Sequence, residues 1–318
     1  MCEVSVIIPN YNGKQYLKNC LDSMARQVYK DFEVILVDNG SEDGSVEYLR
    51  EHYPWVRLIT LHENTGFCGG VNAGIRASQS PYVLLLNNDT IAEKYFIKNL
   101  AAAIKRYPKA VSCQGKMMQL SDKSKIDDAG NYYCVLGWAF ADGKGKSEVN
   151  YTREKPIFSS CAGAAIYNRK ILDEIGYFDE AHFAYLEDLD LGYRARLHGY
   201  ESWFCPRARV YHAGSGTSGS RYNLFKVRYS SRNNVYLIYK NMPLFQIIWN
   251  FPLLLLGFSC KALFFAKKGF GREYLTGIKN GILLCKENQD KKVQGISPGT
   301  YFKVQWELYK NIIKFLKK

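Results

Sequence analysis

Four short apolar runs separated by amphipathic stretches organise the first 120 residues and restrict the chain to one class of fold. Residues 4–9, 32–37, 56–61 and 82–86 are rich in Val, Ile and Leu and have the length of buried strands. Residues 14–27, 45–52, 70–78 and 92–106 carry apolar side chains at helical spacing. Strand, helix, strand repeated three times requires right-handed crossovers and a mainly parallel sheet, so the expected class is α/β. In such sheets ligands bind beyond the carboxyl ends of the strands.

Polar residues gather where that edge should be. Pro9-Asn10-Tyr11-Asn12-Gly13 follows the first run, Asp38-Asn39-Gly40-Ser41 the second, and Asn87-Asn88-Asp89-Thr90 the fourth. Any one cluster is explained by turns and helix caps. Three at the same edge exceed what capping needs.

Residues 111–167 are short, Gly-punctuated and β-like. An acidic cluster, Glu187-Asp188-Leu189-Asp190, then opens a helix running to His198. A helix dipole favours acids in its first turn, but one cap does not need three. Residues 200–204 and 209–212 read as strands, and 214–219 as a Gly/Ser-rich loop.

Charge is distributed unevenly. Residues 240–318 hold 14 Lys/Arg against four Asp/Glu, a net +10 of the chain's +13. Within this tail, 244–260 is strongly apolar but is interrupted by Asn250 and Pro252, which predicts a hairpin or an interfacial helix rather than a span. Residues 301–318 predict a basic amphipathic helix with Val304, Leu308, Ile312 and Phe315 on one side. Such basic, apolar surfaces bind anionic lipid, each Lys/Arg adding roughly 1 kcal/mol. The start, Met1-Cys2-Glu3-Val4-Ser5, lacks a basic leader region, and the nine cysteines form no Cys-x-x-Cys pair. Reduced thiols and a cytoplasmic location are therefore expected.

The motifs, taken in order, resemble family 2 glycosyltransferases. Ser5-Val6-Ile7-Ile8-Pro9-Asn10-Tyr11-Asn12 is followed by Val37-Asp38-Asn39-Gly40-Ser41 and by Asn64-Thr65-Gly66-Phe67-Cys68-Gly69-Gly70-Val71-Asn72. Leu86-Asn87-Asn88-Asp89-Thr90, then Glu187-Asp188-Leu189-Asp190-Leu191-Gly192-Tyr193-Arg194, and finally His212 complete the series, with Arg232-Asn233 beyond it. The pattern is closest to the rhamnosyltransferase-like branch that builds bacterial surface polysaccharides.

The resemblance implies a type A glycosyltransferase fold over about residues 1–240, with a nucleotide-sugar half to about 115 and an acceptor half after it. Residues 241–318 would form a helical, membrane-associating extension. It implies inverting transfer from a nucleotide diphosphate sugar, dTDP-rhamnose or a UDP-hexose, to a glycan or lipid-linked hydroxyl. Asp188 matches the general base; Glu187, Asp190 and Arg194 fall among acceptor-binding positions, with Asp190 alternatively orienting Arg194 or the loop. Pro9, Asn10, Tyr11, Asn12, Asp38, Asn39, Asn64, Gly66, Asn72, Asn87 and Asn88 match the nucleotide-sugar site. Asp89 and His212 match ligands for Mg2+ or Mn2+, a hard cation suited to oxygen donors. Two positions depart from the usual pattern: Asn87-Asn88-Asp89 replaces Asp-x-Asp, and Val71 stands where Arg often precedes Asn72.

The expected partners are thus the donor, the acceptor and an anionic membrane on its inner face, with homo-oligomers admitted and nucleic acid excluded. A dinucleotide-dependent oxidoreductase would need Gly-x-Gly-x-x-Gly after the first strand, where Pro9-Asn10-Tyr11-Asn12 stands instead. A processive synthase would need a Gln-x-x-Arg-Trp motif, which is absent.

Overall fold

The computed structural model describes residues 2–214 and 222–317, so most of the 214–219 loop lies outside the described residues. The first half alternates as its periodicity predicts. It runs β1 (Val4–Asn10), α1 (Lys14–Ala25), β2 (Phe32–Asp38), α2 (Ser45–His52), β3 (Arg57–Thr60), α3 (Gly66–Ala77), β4 (Tyr82–Leu86), β5 (Thr90–Ala92) and α4 (Phe96–Arg106). The second half is β6 (Ala110–Gln119), β7 (Ile126–Asp128), β8 (Asn131–Cys134), β9 (Trp138–Ala141), β10 (Lys155–Ile157), β11 (Ala164–Asn168), α5 (Arg169–Ile175), α6 (Glu187–Leu197) and β12 (Glu201–His212). Four helices close the chain: α7 (Leu224–Asn241), α8 (Leu244–Lys267), α9 (Gly271–Glu287) and α10 (Pro298–Leu316).

The main sheet has the order β10-β12-β6-β11-β4-β1-β2-β3. Neighbours are parallel from β4 through β1 and β2 to β3 and again between β6 and β12, while β11 runs antiparallel between β4 and β6. β1 is buried along nearly its whole length, as a central strand covered on both faces must be. On one face α1 contributes Leu17, Cys20, Leu21 and Met24, and α4 contributes Phe96, Ile97, Leu100 and Ile104. On the other lie Val71 and Ile75 of α3, Leu172 of α5 and Leu191 of α6. A third core joins the β8–β9 hairpin to α6, α7, α8 and α10 through Tyr133, Tyr193, Leu237, Leu254 and Leu308.

Three expectations are corrected. Residues 201–212 form one strand, not two, because a bulge between Cys205 and Arg209 absorbs Pro206 without ending the pairing with β6. Residues 244–267 form a single 24-residue helix, which removes the hairpin and keeps the helix alternative, and by length and composition it is able to cross a membrane. Asn250 does not interrupt it, since its side chain is buried and hydrogen-bonded to Gln305 of α10 in both directions, at 2.8 and 2.7 Å. Finally, the apolar side of α10 does not face lipid. Val304 and Leu308 are buried in the third core, and Asn311 donates to the Tyr133 carbonyl at 2.8 Å.

What remains exposed on these helices is a second apolar surface. Ile248, Trp249, Phe251 and Leu255 of α8, with Phe302 and Trp306 of α10, are each more than half exposed. Helix α9 lies close against α7 because Gly277 and Gly281 leave room. A Cβ on Gly277 would stand 1.9 Å from Ser231 Oγ, and one on Gly281 2.5 Å from the Arg232 carbonyl.

Candidate active site

The ends of β1, β2 and β4 bring their polar clusters into one hydrogen-bonded knot. Asn10 Nδ2 donates to Asp38 Oδ2 at 2.9 Å, and Asn88 Nδ2 donates to Asn10 Oδ1 at 2.7 Å. Asp38 Oδ1 accepts from the Ser41 amide at 2.9 Å. Asn39 ties this knot to the start of α3, donating to the Gly66 carbonyl at 2.8 Å and to Asn64 Oδ1 at 3.1 Å. Tyr11 and Asn12 are exposed at the rim beside half-buried Pro9. Asn12 has a left-handed backbone, φ 48°, a conformation Asn tolerates better than most residues. The Asn87 amide donates to the Gly163 carbonyl of the adjoining loop at 2.9 Å.

Asp89 follows β4 directly, and the pairing of β5 with β12 sets Thr90 opposite His212. His212 Nε2 therefore stands 3.2 Å from Asp89 Oδ1, while Nδ1 stands 2.7 Å from Asp127 Oδ2 on β7. Burial opposes charge on this ring, but Asp127 and Asp89 outweigh it and raise the His212 pKa to about 9. A position between a carboxylate oxygen and an imidazole nitrogen, where only a proton holds the two together, is one that a divalent cation can take over. These donors fit such an ion. A cavity of about 290 Å3 opens beside Asp89, lined also by Gln15, Tyr16, Asn19 and Thr90.

A second grouping looks similar and is not. Asp179, His182 and Asp190 also bring potential ligand atoms within 4.8 Å of one another. Lys240 Nζ already lies 2.7 Å from Asp179 and 2.9 Å from Asp190, so an ammonium stands where an ion would.

The acidic cluster opens α6, with its members aimed differently. Asp188 is half-buried; Oδ2 accepts from Asn131 Nδ2 at 2.8 Å and Oδ1 from the Leu189 amide at 2.7 Å. Burial, then the charge of Asp128, pushes its pKa well above the ordinary carboxyl range. Glu187 is raised as well, by burial and then by Asp188, and its Oε2 is buried without a hydrogen-bond partner among the described residues. Asp128 is itself pushed up to about 6, burial being the main cause, despite bonds from Gln114 at 2.8 Å and the Gly130 amide at 2.7 Å.

The backbone leading into α6 is strained. Phe183, Tyr185 and Leu186 have φ of 62°, 72° and 66°, positions that bulky residues rarely hold without support. Helix α7 supplies it: Asn233 Nδ2 donates to the carbonyls of His182, Ala184 and Tyr185 at 2.7–2.9 Å, and Arg232 to those of Ala181 and His182.

Asp190, Arg194 and Asn72, read from sequence as ligand-facing, instead spend their polar atoms on interior partners away from the strand-end knot. Asp190 is fully buried and bonded to Arg194, Lys240 and Asn241 at 2.8–2.9 Å. Arg194, 5% exposed, spends its other donors on the carbonyls of Ile175, Gly176 and Tyr177. Asn72 is buried against the Phe178 carbonyl and Glu180 at 2.7 and 2.9 Å. Asp127, Asp128, Asn131 and Gln114 were not legible as site residues. Their role depends on how β7 pairs with β6 and how the β8–β9 hairpin sits over α6.

Comparison with known proteins agrees with this architecture. An N-acetylglucosaminyl-diphospho-decaprenol L-rhamnosyltransferase of Mycobacterium tuberculosis is 28% identical over 240 residues, covering 67% of this chain and 77% of that protein. S. aureus TarS 1–349, solved with UDP-GlcNAc, superposes with a TM-score of 0.58 at 20% identity, over 92% of this chain and 84% of that one. GalNAc-T7, solved with UDP, GalNAc and Mn2+, gives a TM-score of 0.60 at 15% identity, and the match spans 76% of this chain but only 48% of that one. These likenesses establish the type A glycosyltransferase fold. The family model described as glycosyl transferase family 2 matches residues 5–176, more than half the chain. With its strand-end motifs joined as the fold requires, this chain belongs to glycosyl transferase family 2 and is a sugar-transferring enzyme.

Proposed function

We propose that the enzyme transfers a sugar from a nucleotide diphosphate sugar, dTDP-rhamnose or a UDP-hexose, with inversion, to a hydroxyl of a glycan or lipid-linked acceptor of cell-surface polysaccharide. The observation that carries this reading is that Asp188, fixed at the head of α6 by Asn131, feels the charge of Asp128, whose neighbour Asp127 stands 2.7 Å from His212 beside Asp89. The relatives' names support the substrate class: one is a rhamnosyltransferase acting on a diphospho-decaprenol sugar, another was solved with UDP-GlcNAc.

In this reading residues 1–240 form the catalytic domain and 241–318 an extension. Asp38, Asn10 and Asn88 hold the nucleotide end, with Pro9, Tyr11, Asn12, Asn39, Asn64, Gly66 and Asn87 shaping its walls. Asp89 and His212 hold Mg2+ or Mn2+, which when bound offsets the charge of the departing diphosphate. Asp188 takes the acceptor hydroxyl's proton as that oxygen bonds to the anomeric carbon. The bond from that carbon to the diphosphate oxygen breaks on the opposite face, and its electron pair leaves with the diphosphate. A protonated Glu187 donates a hydrogen bond to a neighbouring acceptor oxygen, using the atom that has no partner among the described residues. Asp190 and Arg194 support α6 rather than touch sugar.

The exposed aromatic face of α8 and α10, together with the cationic tail, supports peripheral attachment to an anionic membrane on its cytoplasmic side. A panel of dTDP- and UDP-sugars, scored for sugar release with and without Mn2+, tests the donor reading. No turnover of any nucleotide sugar would overturn it.

A further inference from the structure

The motif that carries His212 does not include what holds its imidazole from behind. Asp127 Oδ2 lies 2.7 Å from His212 Nδ1, and Asp127 Oδ1 accepts from Lys144 Nζ at 2.9 Å. Both oxygens of this buried carboxylate are therefore engaged, one by the ring and one by a cation that holds the carboxylate itself in place. A carboxylate at Nδ1 keeps the hydrogen on that nitrogen and leaves the Nε2 lone pair for a ligand. Nε2 is the atom that faces Asp89 Oδ1 at 3.2 Å.

We propose that Asp127 is a positioning residue: it fixes the ring orientation and tautomer of His212, so that Nε2 and the Asp89 carboxylate converge as a preformed cation site. The inference rests on the reading of Asp89 and His212 as metal ligands and extends it to a residue outside every motif. β7 is suited to the task because it is short, pairs with β6 and places Asp127 behind the end of β12. No proton or bond changes hands in this role; Asp127 acts by removing alternative ring orientations and by making Nε2 a better donor.

The test is Mn2+ binding alone, followed by loss of the free-ion paramagnetic resonance signal, on the full chain. Asp127→Asn is nearly isosteric and is expected to weaken Mn2+ binding by about 10–100-fold, the range typical of lost outer-shell partners. Asp127→Glu, which keeps the charge, is expected to recover part of that loss. The double variant Asp127→Asn with His212→Ala should bind no more weakly than His212→Ala alone. Mn2+ affinity unchanged in Asp127→Asn but lost in His212→Ala overturns the proposal while leaving the metal reading intact. Affinity unchanged in His212→Ala overturns the metal reading, and this inference with it. A measurement that needs no variant is nitrogen-15 NMR of the Mg2+-loaded protein: the expected His212 tautomer carries hydrogen on Nδ1, and a hydrogen on Nε2 overturns the proposal.

Discussion

Asn131 Nδ2 donates to Asp188 Oδ2 at 2.8 Å, so the first residue of β8 holds a carboxylate in the first turn of α6. A side chain reached by one protein donor on each oxygen, and only half-buried, has a fixed aim with room left for a substrate hydroxyl. Removing its ability to accept a proton is therefore expected to affect chemistry more than binding. Asp188→Asn should lower kcat by about 10²–10⁴-fold, the usual worth of a general base, with nucleotide affinity within a few-fold of wild type. Steady-state kinetics and nucleotide titration on the same preparation check both halves.

The base role proposed for Asp188 sets an expected pH dependence of transfer. A base works only when deprotonated, and burial together with Asp128 raises the pKa of Asp188. Activity should thus fall on acidification at a pH above the ordinary carboxyl range, rather than near pH 4. Asp128→Asn removes a like charge, so the acid limb of the kcat/KM profile should move to lower pH. A limb that stays in place would show that burial alone sets it.

Lys240 is the counter-charge for two carboxylates that water hardly reaches. Asp179, Asp190 and the lysine side chain are each 5% exposed or less. Burial alone would raise both carboxyl pKa values, yet Lys240 holds them well below the usual range. Lys240→Met should cost about 3–5 kcal/mol, because it strands buried charge. The sign with pH is definite: the wild-type contribution is complete above about pH 4, the unfolded carboxyl value, and is lost as pH falls towards the depressed folded values. Urea denaturation across acid pH should show that loss in the wild type and a much weaker one in the variant.

Membrane attachment is best tested on the outer face of the helices, not by truncation, because α10 contributes Val304 and Leu308 to the core. Leu308→Ala, which opens a cavity there, should cost about 2–5 kcal/mol in thermal or urea unfolding. Trp249→Glu with Trp306→Glu, both exposed, should leave stability nearly unchanged and sharply reduce sedimentation with anionic vesicles. Equal sedimentation of this pair and the wild type would remove the lipid reading of the face.

How far the molecule could be read from its residues depended on the range of the interaction. The alternation that yields β1 to α4 is local, and its polar strand ends fell together because a parallel sheet aligns them. Asp89 and Asp188 stand inside recognisable motifs. Asp127 carries no such mark; two acids between Ile126 and Ala129 look like a turn until the β6–β7 pairing places them. Of the two readings open for Asp190, the orienting one holds: four residues apart on one helix, it and Arg194 form an ion pair and face inward. Asn250 and Pro252 read as breaks in an apolar run, since the partner that satisfies Asn250, Gln305, lies on another helix.

That partner has a mechanical consequence. Gln305 also accepts from Gln246 at 2.7 Å, so two consecutive turns of α8 are latched to α10, which is in turn fastened to Tyr133. The aromatic face therefore cannot swing on a leash; it is a plinth bolted to the catalytic half. With that face as the proposed membrane contact, the cleft would stand at one set height above the lipid, and only hydroxyls presented at that height would come within reach.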